Sequence, residues 1–372
     1  MAGRALSAPR CAAIVGPYSS GKTTLLESLL FVTGAINKKG NAKDHTMVGD
    51  SAPEARARGM SVEVSAASAE FLGEKWTFLD CPGAVELSQD MRNAVLAADI
   101  AIVVAEPQTE KALTLAPIFK YLDDHKIPHL LFVNKMDHAG LRVRDVMAAL
   151  QAVSSRPLVL RQVPIREAGK NGDAVAGYVD LVSERAYRYH PGAPSDLVKL
   201  PEDMLPREQE ARGQMLEHLA DFDDHLLEQL LSDAVPSKEE IYEQLSKDLA
   251  GDLIVPVLMG AAELDFGVRR LLKTLRHDVP GPEAARKRLG LDGEATAALV
   301  FKTYHQAHSG KIALARVLAG QLADGQTLSG QRIGALLRPK GGSYDKITTA
   351  AAGDVVGLGR MDHLQTGHVL TA

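Results

Sequence analysis

The 372-residue sequence has few cysteines, no long apolar run and no excess of positive charge. Only Cys11 and Cys81 occur, far apart, which argues against a disulfide framework and predicts a reducing compartment, the cytoplasm. No run of about 18 apolar residues is present, so we expect neither a membrane span nor membrane binding. The net charge of -5 gives no basic surface for free DNA.

What the sequence does contain is a loop suited to phosphate. Four residues of GPYSSGKTTL fill the fixed positions of G-x-x-x-x-G-K-S/T, with an apolar strand before them and a helix that we expect to end near Gly34. Backbone N–H groups of such a loop point at phosphate oxygens, the lysine contacts the outer phosphates, and the threonine hydroxyl binds Mg²⁺. The predicted nucleotide-binding residues of this loop are Gly16, Pro17, Tyr18, Ser19, Ser20, Gly21, Lys22, Thr23 and Thr24.

Two later segments predict that the base is guanine. The apolar strand in LLFVNKMD ends in Asn134, Lys135 and Asp137. A carboxylate at Asp137 accepts hydrogen bonds from the two N–H groups of guanine, and adenine lacks that pair of donors. Lys135 is expected to lay its alkyl chain over the base, and Asn134 to tie this loop to the phosphate loop. Alone, NKMD could be a helix-cap turn, but its place after an apolar strand favours base recognition. A second apolar strand leads into Gly260, Ala261 and Ala262, where the Ala262 N–H is expected to contact the guanine oxygen.

A third pair of segments predicts the metal site and the hydrolysis machinery. Asp80 ends the strand in WTFLDCPGAVE, where it can hold Mg²⁺ through water, and Gly83 can turn its N–H toward the third phosphate. Ser61 is the predicted third metal ligand beside Thr23 and Asp80, although alone it could be an ordinary loop serine. Lys22 and Gly83 are the predicted catalytic residues. Residues 35–60 are mixed and polar, and we expect a loop that orders or releases with the nucleotide.

The wider pattern predicts an α/β protein followed by a β-rich part. Short apolar strands near 12–16, 76–80, 100–106, 130–135 and 254–260 alternate with helical stretches, as in a mainly parallel sheet with helices on both faces. Residues 201–249 are predicted to form two helices and carry 14 Asp and Glu against 4 Lys and Arg. Residues 279–294 are expected to be a linker. The histidines His125, His129 and His138 lack ligand spacing on a shared face, so no second metal site is predicted there.

The ordered segments GPYSSGKT, RGMS, DCPG, NKMD and GAA resemble those of the translational GTPases, most closely elongation factor G. The resemblance covers about residues 10–372 and implies a P-loop GTPase domain at 1–285, with a helical and β insert at about 165–250, and a β-barrel domain at 286–372. It further implies binding of GTP, GDP and Mg²⁺, GTP hydrolysis, and a monomer acting on the ribosome through ribosomal RNA and the stalk protein. The family has three further domains, so we expect the chain to be a fragment of a longer protein. Release-factor-type and ribosome-protection GTPases stay open as alternatives.

Three positions depart from the family. Ala84 stands where elongation factor G has the histidine that positions the attacking water, and Ser19 replaces an acidic residue of the phosphate loop. Ser61 replaces a threonine and keeps the hydroxyl. Because binding residues are retained and a hydrolysis residue is absent, the sequence predicts a diverged paralogue that turns GTP over slowly. The alternative is a GTP-binding switch with very slow or no hydrolysis.

Overall fold

The computed structural model describes residues 8–50, 52–137, 142–169, 172–306, 310–340 and 343–371, so His138 lies outside the described residues. The chain divides into two compact units: unit 1 is Met1–Ala101 with Pro280–Ala372, and unit 2 is Ile102–Val279. Short 3-10 helices lie at Val48–Asp50, Val85–Leu87, Thr109–Leu115, Glu202–Met204 and Ala262–Leu264. No helix in the described ranges has the length and apolar character that a membrane crossing requires.

The first part of unit 1 is an α/β segment built on a buried strand. Its elements are β1 (Arg10–Val15), α1 (Lys22–Thr33), α2 (Pro53–Arg58), β2 (Ser65–Phe71), β3 (Glu74–Asp80), α3 (Ser88–Ala97) and β4 (Ile100–Ala105), within which the division of the units falls. β1 pairs in parallel with β3, and β3 pairs antiparallel with β2, so the sheet is mixed. All six residues of β1 are buried: the apolar run from Cys11 to Val15 is typical of a covered parallel strand, and Arg10 is paired with Glu74.

Helix α1 ends where the sequence predicts, because Gly34 follows it with φ of 78° and donates to the carbonyls of Leu30 and Phe31. Part of the segment 35–60 that was predicted as a loop is helical. It contains α2, which begins at Pro53 and is closed by Gly59 in a left-handed conformation. Proline at the first helical position and glycine after the last are the signals that predict such a short helix.

Unit 2 combines parallel strands with an antiparallel insert. The elements are α4 (Ala116–Asp124), β5 (His129–Val133), α5 (Val143–Gln151), β6 (Leu158–Leu160), β7 (Gln162–Gly169), β8 (Gly172–Asp180), β9 (Arg185–His190), β10 (Ala193–Val198), α6 (Leu205–Ala220), α7 (Asp224–Leu231), α8 (Lys238–Ala250), β11 (Val255–Met259) and α9 (Val268–Asp278). β11 pairs in parallel with β5 on one side and β6 on the other, and β7–β10 form a four-stranded sheet in the order β10-β9-β8-β7.

The acidic stretch 201–249 forms three helices, so the prediction of two was wrong. The chain breaks between α6 and α7 because the Asp223 side chain caps a new helix by accepting from the Leu226 N–H. Ser237 and Glu240 form a reciprocal capping box at the start of α8. Apolar residues of these helices, including Leu219 and Leu245, pack in one core with strand residues of the same unit.

The last part of unit 1 is all-β after one helix. The prediction that residues 279–294 form a linker was partly wrong. This stretch contains α10 (Pro282–Arg288), which begins at a proline. We call residues 297–371 the β domain. Its strands are β12 (Ala297–Gln306), β13 (Gly310–Ala319), β14 (Gln321–Ala323), β15 (Thr327–Leu328), β16 (Gln331–Arg332), β17 (Ala335–Pro339), β18 (Tyr344–Lys346), β19 (Thr349–Ala351), β20 (Val355–Gly359) and β21 (Val369–Thr371). Six of them form an antiparallel sheet in the order β18-β17-β20-β13-β12-β21.

A fully buried ion pair joins the β domain to the first part of unit 1. Arg316 of β13 donates to the Asp99 carboxylate at 2.6 Å, and the same carboxylate oxygen accepts from the Cys11 N–H of β1 at 2.7 Å. Neither side chain of the ion pair is exposed to solvent. Removing one partner of such a pair leaves a buried charge without its counter-ion, so we expect loss of either residue to destabilise the packing of these segments.

Candidate functional site: phosphate and base loops

The phosphate loop follows directly from β1 and needs its glycines. Gly16 has φ of 147° and Gly21 has φ of 94°, conformations that suit glycine, and Ser19 also has positive φ. Gly21 precedes the first residue of α1, so the helix N-terminus opens on the loop. The Lys22 ammonium folds back and donates to the Pro17 carbonyl at 2.9 Å. Burial lowers the pKa of Lys22, although Asp80 opposes the shift.

Three predicted metal ligands converge at the end of β3. Thr23 Oγ1 donates to Asp80 Oδ2 at 2.7 Å, and the hydroxyl groups of Thr23 and Ser61 are 3.1 Å apart. Ser61 Oγ also lies 3.4 Å from Asp80 Oδ2. Asp80 is fully buried, and burial raises its pKa to about 6 against the opposing effects of Lys22 and the Thr23 hydroxyl. Its Oδ1 accepts no hydrogen bond among the described residues.

The residues of this cluster fit Mg²⁺. Two hydroxyl groups and a carboxylate are hard oxygen ligands, which Mg²⁺ prefers, and Asp80 Oδ1 is a buried acceptor still to be satisfied. The space around Gly49 also shows that the cluster is tightly packed. A Cβ at Gly49 would lie 2.6 Å from Thr23 Cγ2 and 2.9 Å from Asp80 Oδ2, so a larger residue would press into the cluster.

Gly83 lies against the phosphate loop, as a residue that contacts the last phosphate should. A Cβ at Gly83 would lie 2.3 Å from Lys22 Nζ and 2.7 Å from the Tyr18 backbone nitrogen. Ala84 follows in an extended conformation and precedes the 3-10 helix at Val85–Leu87. Val85 is 84% exposed, and Glu86 is exposed beside it. The side chain of Ala84 is a methyl group, which neither donates nor accepts a hydrogen bond.

The segment between α1 and Ser61 is held by a buried carboxylate that the sequence reasoning missed. Glu27 of α1 is 2% exposed and accepts from the Gly40 N–H at 2.6 Å and the Val48 N–H at 2.8 Å. A glutamate among the leucines of the uncharged stretch around it in TTLLESLLF was the available signal, because a buried charge needs partners.

The β domain holds the other end of this segment. Lys302 of β12 pairs with Asp90 of α3 at 2.5 Å and lies 3.7 Å from Glu63. The Tyr304 hydroxyl donates to the Val64 carbonyl. Glu63 and Val64 come just after Ser61, so strand β12 supports the stretch of chain that carries the predicted metal ligand.

The base loop lies in unit 2, where β5 and β11 end side by side. The Met136 N–H donates to the Gly260 carbonyl at 3.0 Å, and the Gly260 N–H donates to the Val133 carbonyl at 2.9 Å. Asn134 is 2% exposed, and its Oδ1 accepts from the Ala262 N–H at 2.9 Å. The two predicted base-recognition segments are therefore brought together by backbone and side-chain hydrogen bonds.

The hydrogen bonds of the base loop bear on two contacts that the sequence predicts, those of the Ala262 N–H and of the Asp137 carboxylate. The Ala262 N–H, expected to contact the guanine oxygen, is bonded to Asn134 in this structure, and the Ala261 N–H donates to the Phe266 carbonyl. Asp137 is half-buried, and none of the described residues donates a hydrogen bond to its carboxylate. Among the described residues, therefore, no donor competes with the two guanine N–H groups that the sequence predicts for the Asp137 carboxylate.

A group of possible metal ligands elsewhere in unit 2 is better explained by charge pairing. The ligand atoms of Asp123, His129 and Asp252 lie within 4.8 Å of one another. Arg156 donates to Asp252 at 3.1 Å and lies 3.9 Å from Asp123, so a guanidinium already supplies positive charge to both carboxylates.

Comparisons with known proteins agree with this geometry. Residues 8–281 match the family described as "Elongation factor Tu GTP binding domain", and residues 295–372 match "Elongation factor G domain 2". The chain belongs to the translational GTPases. It is a diverged, elongation factor G-like member, 47% identical over 97% of its length to an "Elongation factor G-like protein" of Synechocystis sp.. It is also 27% identical over 96% of its length to a mitochondrial "Ribosome-releasing factor 2" of Drosophila ananassae.

A solved structure of a protein from Thermus thermophilus is similar throughout, with a TM-score of 0.87, 28% identity and 98% of this chain covered. The chain spans about half the length of these proteins: 54% of the Synechocystis protein, 50% of the Drosophila protein and 54% of the solved chain. The family assignment and the fold of a P-loop GTPase domain followed by an all-β domain are thereby confirmed. The roles of individual site residues stay predictions.

The prediction for the base loop concerns Asp137. Changing Asp137→Asn should move the preference from GDP toward XDP, because xanthine presents an oxygen where guanine has its amino group and an amide can donate to it. Titration of the variant and the parent chain with both nucleotides checks this. Asp265→Asn, a change at a nearby aspartate outside the predicted contacts, is the matched control and should keep the preference for GDP. A variant at Asp137 that still prefers GDP would remove this residue from base recognition.

Proposed function

We propose that this chain is the GTP-binding and GTP-hydrolysing part of an elongation factor G-like protein that acts on the ribosome in the cytoplasm. The observation that carries the proposal is the convergence of Thr23, Ser61 and Asp80 beside the phosphate loop, with one buried carboxylate oxygen still unsatisfied. Membership of the translational GTPases supports GTP and GDP as the nucleotides and Mg²⁺ as the ion.

The residues of the phosphate region would have two roles: some would stabilise charge on the transferred phosphoryl group, and others would hold Mg²⁺. Lys22 and the Gly83 N–H would stabilise negative charge on the phosphoryl group that is transferred, and the closeness of Gly83 to the Lys22 ammonium supports this role. Thr23, Ser61 and Asp80 would hold Mg²⁺, which supplies positive charge at the phosphate oxygens. Because Ser61 lies on the segment anchored by Glu27 and β12, its contribution depends on that segment being in place.

We propose that hydrolysis is slow because the methyl side chain of Ala84 cannot orient the attacking water. Loss of a group that positions the nucleophile or exchanges a proton with it costs about 10²–10⁴ in rate. Glu86 is exposed and two residues away, so it is the side chain that could take over this role. The second candidate function, a GTP-dependent switch with no useful hydrolysis, rests on the same observation at Ala84.

The ribosomal partner that we propose for the insert is the stalk protein. Leu227, Leu231 and Val235 are 44%, 78% and 80% exposed and follow one another at four-residue intervals on and after α7. Apolar side chains surrounded by the acidic residues of this stretch would suit a partner surface with apolar and basic groups. The Drosophila relative is named a ribosome-releasing factor, which supports the ribosome as the place of action.

The stalk proposal predicts that Leu231→Asp weakens binding of the ribosomal stalk protein by about tenfold, because it places a charge in an apolar contact. The measurement is the dissociation constant for isolated stalk protein, with GDP binding as a check on the fold. Leu72→Asp is the control, since Leu72 is 63% exposed and lies outside the insert. Equal stalk affinity of both variants and the parent would exclude this surface.

The hydrolysis proposal predicts that Ala84→His raises ribosome-stimulated GTP hydrolysis by about 10²-fold or more while GDP affinity is unchanged, because an imidazole can hold the water and accept its proton. Single-turnover hydrolysis is measured with and without ribosomes, on protein of the same length as the relatives. Val85→His places the same side chain one residue away and should not raise the rate. A parent protein that already hydrolyses GTP on ribosomes as fast as an ordinary elongation factor G would show that slow turnover is the wrong inference.

A further inference from the structure

A buried carboxylate lies beside the base loop and takes no part in the contacts described so far. Glu106 comes directly after β4 in unit 2 and is 8% exposed. Its Oε1 accepts from the ammonium of Lys135, and its Oε2 accepts from that of Lys111. Each carboxylate oxygen therefore has one lysine partner, and one of these lysines belongs to the NKMD segment.

The backbone next to Glu106 is tied to the same segment. The Asn134 N–H donates to the Ala105 carbonyl at 2.8 Å, so the chain just after β4 and the chain just after β5 are joined one residue away from the ion pair. Lys135 has φ of 60°, a left-handed conformation that is uncommon for a residue with a side chain. A local conformation of this kind persists where surrounding contacts hold it.

The Lys135 side chain is anchored at its ammonium and is partly exposed to solvent. Its ammonium is bonded to Glu106, yet 34% of the side chain remains exposed. A long lysine chain is otherwise free in several torsions, and ordering it on binding a ligand costs free energy. An ammonium that is already anchored leaves the alkyl chain in place before the ligand arrives.

The two lysine partners of Glu106 keep its carboxylate charged, so that it can hold the Lys135 ammonium. Burial pushes the pKa of Glu106 upward, but the hydrogen bonds from Lys111 and Lys135 outweigh this effect and leave the pKa below its ordinary value. The carboxylate is therefore ionised at neutral pH. Lys111 supplies a second positive charge, which compensates the buried carboxylate without occupying the base loop.

We infer that Glu106 is a positioning residue for base recognition: it anchors the Lys135 ammonium so that the alkyl chain lies ready to cover the guanine ring. The inference rests on the proposed guanine-nucleotide function. It adds a residue outside the predicted nucleotide contacts that sets how long the base stays bound. We expect its effect on the nucleotide to act through Lys135, while Lys111 compensates the charge of the second carboxylate oxygen.

The first test is Glu106→Gln, which keeps the shape of the side chain and removes its charge. We expect GDP to dissociate about tenfold faster, because a Lys135 chain without its anchor is no longer held over the base and must be ordered at a cost in free energy. Dissociation of a fluorescent GDP analogue measures this, and thermal unfolding checks the fold. Glu106→Asp should restore part of the lost residence time. Glu110→Gln, at an exposed glutamate of the neighbouring 3-10 helix, is the control and should match the parent.

The second test repeats Glu106→Gln in a Lys135→Met background, where the alkyl chain remains but the ammonium is gone. If Glu106 acts through Lys135, the second change should alter GDP dissociation by less than about twofold. A full additional loss in that background would show a structural role and overturn the inference, as would an unchanged dissociation rate in the single variant. A parent chain that binds no GDP would instead refute the proposed function and this inference with it.

Discussion

The fully buried carboxylate of Asp80 is the constraint on which the rest of the phosphate region depends. A charge at the end of a buried strand is costly unless hydroxyl groups, N–H groups or a cation compensate it. Thr23 and Ser61 supply two hydroxyl groups, and one oxygen remains for an ion or its water. Gly49 leaves the space that this arrangement needs, and a larger residue there would fill it.

Two carboxylates further from the nucleotide loops organise those loops. Glu27 binds two backbone N–H groups of the segment that leads to Ser61, and Glu106 binds the lysine of the NKMD segment. Both are buried, and in both cases a single charged group holds a stretch of chain that carries predicted ligand contacts. Under the proposed function, we expect nucleotide binding to depend on these buried charges as well as on the residues of the motifs, because the motif residues must be held before the ligand arrives.

The fold class could be predicted from the sequence because short-range rules apply to its strands and motifs. Gly21, Lys22 and Thr23 stand at fixed spacings, and the strands before the motifs are continuous apolar runs, so both could be located without coordinates. The break between α6 and α7 was missed because the sequence does not distinguish Asp223 from the other acidic residues of this stretch. Only the structure shows that its side chain caps α7. Glu106 could not be assigned either, since its partner Lys135 is 29 residues away and the pairing depends on how two strand ends meet. Long-range pairings of this kind are not encoded in local periodicity.

The central claim is that this chain binds a guanine nucleotide together with Mg²⁺. Calorimetric titration of the 372-residue chain with GDP and with ADP, each with Mg²⁺ present, tests it most directly. The account predicts that GDP binds at one site per chain and that ADP gives no measurable binding, because adenine cannot satisfy the Asp137 carboxylate. Equal binding of ADP and GDP, or binding of neither, would contradict it.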